Sequence, residues 1–294
     1  MNLKQPLRAT RLIAAAMVTL LGSPTMAVAA DAPAATYVAM GSSFAAGPGV
    51  DHRAEGSAPA CARSDGNYAH RLARMRSLSL NDVSCSGAVT ANLLDTPQAG
   101  QPPEVEAVTA ATTLVTITIG GNDVNYLGDL WNASCLQAPD KLPPGMQHTG
   151  CSLWAPEKVE NGFRALPGQF RRIAQAIRAR APAARIVLVD YIDILPPAGQ
   201  CPKVAPLSPA DAIRTRALAA RLASITADAA RQNNLTLVSA AHATRGHDVC
   251  SATPWVHGFQ MSATKTDWAP AVYHPTAAAM QAIAEAIDHA LGPR

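Results

Sequence analysis

Beyond its first thirty residues the chain has no apolar run long enough to cross a bilayer, which excludes an internal membrane span. It has no C-x-x-C pair and no Cys/His cluster at zinc spacing, so its cysteines do not read as metal ligands. It has no internal repeat, which sets aside solenoids and propellers. It also lacks a charge excess to offer a polyanion. The chain carries 24 Lys+Arg against 21 Asp+Glu, but residues 1–30 hold three of the basic residues (Lys4, Arg8, Arg11) and no acid. The remainder is balanced, so nucleic acid is not an expected partner. A disordered chain is excluded as well. Of 294 residues 48% are hydrophobic and 15% charged, which suits one large globular domain, or two small ones, with a real core.

What is present begins with a separate object at the N-terminus. The three basic residues precede "LIAAAMVTLLG" at 12–22, an apolar run too short to span comfortably, and "AVAAD" at 27–31 offers small residues to a signal peptidase. This predicts a secretory signal over 1–30, cut after about Ala29 or Ala30, rather than a membrane anchor. One domain over 31–294 would then work in an extracellular or periplasmic setting. Six cysteines remain, and an even count in an exported chain implies three disulfides. Fifteen connectivities are open. Pairing in order, Cys61–Cys85, Cys135–Cys151 and Cys201–Cys250, closes three local loops and is preferred. Nothing calls for an oligomer, and a monomer is expected.

Strand-like runs lie at 36–40, 114–119 ("LVTITI"), 185–189 ("RIVLV") and, more weakly, 235–238, with a further short run near 78–83. Several are continuously apolar, as strands buried on both faces should be. Helical periodicity falls between them: Phe170, Ile173 and Ile177 share one face, Ile213, Leu218, Leu222 and Ile225 another, and Met280, Ile283, Ala284 and Ile287 a third. Alternating strands and helices predict an α/β fold, a parallel sheet with helices on both faces and ligands at the carboxyl ends of the strands. The Pro/Gly-rich stretch 132–157 reads as a long excursion, either decorative or shaping a binding site, and 199–210 as a second loop.

Four segments could carry chemistry. "GSSF" at 41–44 ends the first strand, either as a plain turn or as a hydroxyl at the ligand edge of the sheet. In "CSGAVTANLL" at 85–94, Gly87 lets a backbone N–H approach a ligand closely, or simply turns the chain. In "TITIGGNDVNYLG" at 116–128 a buried strand ends in Gly-Gly-Asn-Asp; Asn122 could aim an amide at an oxyanion, or Asn122 or Asp123 could cap the following helix. In "AVYHPTAAAM" at 271–280, His274 precedes a proline suited to a first helical turn, at a junction where it could face a pocket or merely pack.

In this order the four resemble the signature blocks of the SGNH hydrolase superfamily, the GDSL esterases and lipases, over most of the chain from Ser43 to His274. The secreted context and six cysteines resemble the three-disulfide esterase/lipase branch. The resemblance implies a three-layer α/β/α sandwich, flavodoxin-like, with a central parallel sheet. It implies Ser43 as nucleophile, His274 as base, and an oxyanion hole made by the N–H groups of Ser43 and Gly87 and the Asn122 amide. It implies a carboxylic ester as substrate, with no cofactor and no metal. A serine hydroxyl is barely ionised near neutral pH, so a base must take its proton as it attacks, and fixed donors must await the oxyanion.

Two letters depart from the family pattern. The usual aspartate before the nucleophile is Ser42, a rival hydroxyl. The aspartate usually three residues before the histidine is Ala271. Some secreted members use a main-chain carbonyl there, so the resemblance points to the carbonyl of Ala271 or a near neighbour to orient His274, with Asp267 as the alternative. The expected function is a secreted serine esterase or lipase. A carbohydrate O-deacetylase needs the same residues, and a non-catalytic binding protein on the same fold is the reading from another class. Trp131, Trp154, Trp255 and Trp268 could flank an acyl groove, stack on sugars, or be ordinary half-buried aromatics.

Overall fold

Apolar runs and amphipathic segments alternate along the chain, and the architecture follows that alternation. The computed structural model describes residues 1–2, 37–142, 150–260, 268–269 and 271–293. The chain divides into Met1–Ala32 and Pro33–Arg294. The first unit, with the expected signal over 1–30, lies outside the described residues apart from Met1 and Asn2.

Five strands form one sheet: β1 (Tyr37–Gly41), β2 (Leu80–Asp82), β3 (Leu114–Thr118), β4 (Arg185–Val189) and β5 (Thr236–Val238). Their order is β2-β1-β3-β4-β5 and every pairing is parallel. Tyr37 stands opposite Leu80 on one side and Leu114 on the other. The central strands β1 and β3 are buried at every position, which suits their lack of charged residues, and the two threonines of β3 are partnered, Thr116 with Tyr37 OH and Thr118 with Tyr68 OH. Eight α-helices are described: α1 (Ser43–Ala46), α2 (Tyr68–Arg76), α3 (Thr90–Leu94), α4 (Tyr126–Gln137), α5 (Pro156–Arg180), α6 (Pro209–Gln232), α7 (Ala240–Ala243) and α8 (Ala277–Leu291). Helix α2 packs with α8, while α4 and α5 pack with α6, giving a three-layer α/β/α sandwich. Arg76 ties the first pair, its Nε 2.5 Å from Asp288 Oδ1. Among the described residues no helix is long and apolar enough to cross a membrane.

The apolar faces expected on α5 and α8 are buried. The face expected on α6 is used in the main: Leu222 is buried and Leu218 and Ile225 pack half-buried against the core, but Ile213 is 63% exposed, and the fully buried stripe is completed by Ala212, Thr215, Thr226, Ala229 and Ala230. The excursion at 132–157 is shorter than it reads. Its first residues complete α4, carrying Cys135, and its last two open α5; residues 143–149 lie outside the described part. Its return is tied to α4, with Ser152 N–H donating to Asn132 Oδ1 (3.1 Å) and Trp154 N–H to Asp129 Oδ1 (3.2 Å). The loop at 199–210 ends at Ser208, whose hydroxyl caps α6 by accepting from Asp211 N–H.

Three disulfides close the local loops Cys61–Cys85, Cys135–Cys151 and Cys201–Cys250. The first joins a 3₁₀ turn (Pro59–Cys61) to the loop that follows β2.

Candidate active site

The four sequence blocks all emerge at the carboxyl edge of the sheet, beside the crevice between β1 and β3 where the winding direction reverses. β1 ends at Gly41, whose φ of +128° suits only glycine and whose missing Cβ would lie 2.3 Å from Thr118 O. The Gly41 N–H donates to Glu104 Oε2 (2.6 Å), a buried carboxyl whose pKa burial pushes up. Chemical patterning did not single out Glu104, which comes from a separate turn (Glu104–Ala107).

Ser42 and Ser43 face different surroundings. Ser42 is 1% exposed, and its hydroxyl lies 3.2 Å from Tyr191 OH and 3.4 Å from Thr118 O. Ser43 opens α1 and is 8% exposed; its hydroxyl and its N–H have no hydrogen-bond partner among the described residues. Of the two rival serines, Ser43 is the one whose groups are left for a ligand.

The second and third blocks lock together. Cys85 N–H donates to Gly41 O (2.8 Å), placing Gly87 beside the end of β1. The Asn122 amide donates one Nδ2 hydrogen to Ala88 O (2.9 Å), which fixes its plane and leaves its second N–H for another acceptor. Gly87 N–H has no partner among the described residues. Neither Asn122 nor Asp123 caps the following helix: α4 begins after Asn125 with no side-chain cap. Asp123 instead reaches back to α3, accepting from Thr90 N–H (3.1 Å) and Thr90 Oγ1 (2.5 Å). Burial raises the Asp123 pKa against those bonds.

His274 is held by a short backbone ladder. Tyr273 N–H donates to His257 O, His257 N–H to His274 O, and Thr276 N–H to Trp255 O. Tyr273 adopts φ +61°, an uncommon conformation for a bulky residue; its phenol lies 2.5 Å from Ser134 Oγ. Pro275 lies before the N-cap rather than in the first turn: Thr276 caps α8, and Pro275 bridges Val256. The His274 Nδ1 lies 2.8 Å from Val272 O. A carbonyl only accepts, so Nδ1 carries the proton and Nε2 the lone pair. The orienting carbonyl is thus that of Val272. Ala271 has another task, its carbonyl accepting the His274 backbone N–H (3.1 Å). Asp267 lies outside the described residues. The Nε2 is buried and has no hydrogen-bond partner among the described residues, and the imidazole stands 5.0 Å from the Phe44 ring, next in sequence to Ser43. Burial lowers the His274 pKa to about 4; the Val272 carbonyl opposes this and His257 adds to it.

Tyr191, two residues past β4, went unnoticed in the sequence. Its hydroxyl contacts both Ser42 and Gly121. The available signal was its place just beyond a parallel strand's carboxyl end, where such sheets bind ligands. The four tryptophans are half-buried and engaged elsewhere: Trp131 against Phe259, Trp154 under Lys158, Trp255 on His247, and Trp268 with Arg53 and Asp51.

A family model for GDSL-like lipases and acylhydrolases matches residues 39–282. The chain is 33% identical over 233 residues to Lipase 2 of Streptomyces coelicolor, covering 76% of each protein. It is 28% identical over 276 residues to a lipase of Streptomyces rimosus, covering 92% of this chain and 91% of that one. The crystal structure of phospholipase A1 from Streptomyces albidoflavus aligns with a TM-score of 0.68 at 27% identity, over 87% of this chain and 99% of the other.

Proposed function

The chain belongs to the GDSL-like lipase/acylhydrolase family and is a carboxylic ester hydrolase, and within that class we propose that it works through an acyl-enzyme on Ser43 with His274 as its base. Ser43 Oγ attacks the ester carbonyl while His274 Nε2 takes its proton. The tetrahedral oxyanion is received by the N–H groups of Ser43 and Gly87 and the free Asn122 Nδ2–H. His274 returns the proton to the leaving alcohol, then activates the water that releases the acid. The Val272 carbonyl does the orienting work that a carboxylate does in a triad.

The observation that carries this reading is the state of His274. Its Nδ1 proton is engaged by Val272 O, and its Nε2 lone pair is buried, without a partner among the described residues, and set beside the residue that follows Ser43. We also infer that residues 1–30 are a signal removed on export and that the mature enzyme works outside the cytoplasm; the basic and apolar pattern of that segment and the three disulfides support this. Labelling by a fluorophosphonate tests the chemistry. Wild type and Ser42→Ala should each take up one probe on Ser43, and Ser43→Ala none. A Ser43→Ala enzyme that still labels and hydrolyses esters would overturn the assignment.

A further inference from the structure

We propose that Tyr191 is a positioning residue that fastens the nucleophile loop to the oxyanion loop, and that Ser42 is its partner in doing so. The inference rests on the catalytic roles given above to Ser43, Asn122 and His274.

The geometry begins with three hydrogen bonds. The Gly121 N–H lies 2.9 Å from the Tyr191 phenol, that phenol lies 3.2 Å from Ser42 Oγ, and Ser42 Oγ lies 3.4 Å from Thr118 O. The ends of this string fix its direction. An amide N–H only donates and a carbonyl only accepts. The phenol oxygen therefore accepts from Gly121 and donates to Ser42, and Ser42 donates to Thr118. Each hydroxyl gives one hydrogen and receives one, so a wholly buried string is satisfied in one sense only. Burial pushes the Tyr191 pKa up to about 12, which keeps the phenol protonated and able to donate throughout the working range.

The string joins two loops that must not drift apart. Ser42 adjoins Ser43, and Gly121 adjoins Asn122. Packing reinforces the link. A Cβ on Gly121 would stand 2.7 Å from both Cζ and OH of Tyr191, so the ring lies flush on the backbone of "GGND" and the second glycine is required by that approach. On its other side the Tyr191 ring stands 4.7 Å from Phe44, which itself faces His274 at 5.0 Å. One buried side chain thus abuts the nucleophile loop, the oxyanion loop and the aromatic that flanks the base.

The same geometry gives the unusual serine at 42 a purpose. A carboxylate there could receive the phenol's hydrogen but could not pass one to Thr118 O, and its charge would face that carbonyl. A hydroxyl both accepts and donates. Ser42 is therefore a linker fitted to Tyr191.

Tyr191→Phe keeps the ring and removes the hydroxyl. With a soluble p-nitrophenyl ester we expect kcat to fall about 10- to 100-fold while KM stays within about twofold, because a small misplacement of reacting groups costs rate and not ground-state binding. Phosphonylation by a fluorophosphonate should slow by the same factor, with the thermal transition still cooperative. Ser42→Ala should show the same split, and it tests the string independently if Tyr191→Phe does not fold. The double variant should be no slower than the slower single one, since both cut one string. The inference is overturned if either folded single variant keeps kcat within twofold, or if the two losses multiply. An active Ser43→Ala enzyme would instead overturn the catalytic assignment itself, so the two failures are told apart.

Discussion

An uncharged carbonyl in place of a carboxylate has a consequence for pH that can be measured twice. His274 is 9% exposed and its Nδ1 hydrogen rests on Val272 O at 2.8 Å, and that carbonyl repays only part of the cost of charging the buried ring. Its pKa falls from 6.5 to about 4. A base must be neutral to act, so kcat/KM should stay flat from neutrality to about pH 5 and drop tenfold per pH unit only below about pH 4. Stability must follow the same protons. Between pH 6.5 and 4 the unfolded histidine binds a proton that the folded one refuses, so stability rises with pH across that window and is lost as the medium is acidified. At 1.36 kcal/mol per pH unit the loss is about 3 kcal/mol. The clean comparison is with His274→Gln, which is neutral at every pH. Buried carboxyls with raised pKa, such as Asp82 and Glu104, have the opposite sign but occur in both proteins and cancel. Urea denaturation at pH 7 and pH 4 should find wild type losing about 3 kcal/mol relative to the variant. A pH-independent difference, together with an acid limb of kcat/KM centred near 6.5 in folded enzyme, would refute the reasoning.

Three further outcomes follow from the site. Asn122→Ala should lower kcat about 10²- to 10³-fold with little change in KM, since it removes one oxyanion donor; steady-state kinetics on a p-nitrophenyl ester checks it. Asp267→Asn should leave kcat near the wild-type value, far from the roughly 10⁴-fold loss expected when a triad carboxylate is amidated, because Val272 already holds the Nδ1 proton. Across p-nitrophenyl esters of increasing acyl length, hydrolysis should persist well past acetate; activity confined to acetate would point to a deacetylase.

The sheet was legible chiefly through its central strands, which are buried and rich in apolar residues. β1, β3 and β4 stand where the apolar runs are, and even the short β2 falls inside the run near 78–83. Two kinds of feature were illegible. On α6 hydrophobic periodicity finds Leu218, Leu222 and Ile225 but gives no weight to the alanines and threonines that complete the buried stripe, and it counts the exposed Ile213 with them. The supports of the site are the other kind. Glu104 reaches Gly41 across 63 positions and Tyr191 reaches Ser42 across 149, and nothing local in the sequence marks a pairing at such range. The segments holding Ser43, Gly87, Asn122 and His274 were readable because each sits at a strand or helix boundary with its own turn chemistry. The carbonyl that receives the His274 Nδ1 hydrogen was legible only as that of Ala271 or a near neighbour, since any residue type supplies one.

Over half the chain lies between Asn122 and His274. A ribosome therefore finishes the segments of Ser43, Gly87 and Asn122 long before His274 leaves it, and α8, which follows that histidine and packs on α2, is made later still. In the proposed mechanism, the nascent chain at that stage holds its nucleophile without its base. By that mechanism, hydrolysis of a cell's own esters waits until the segment of His274 has been made and docked, and a polypeptide abandoned short of it lacks the base.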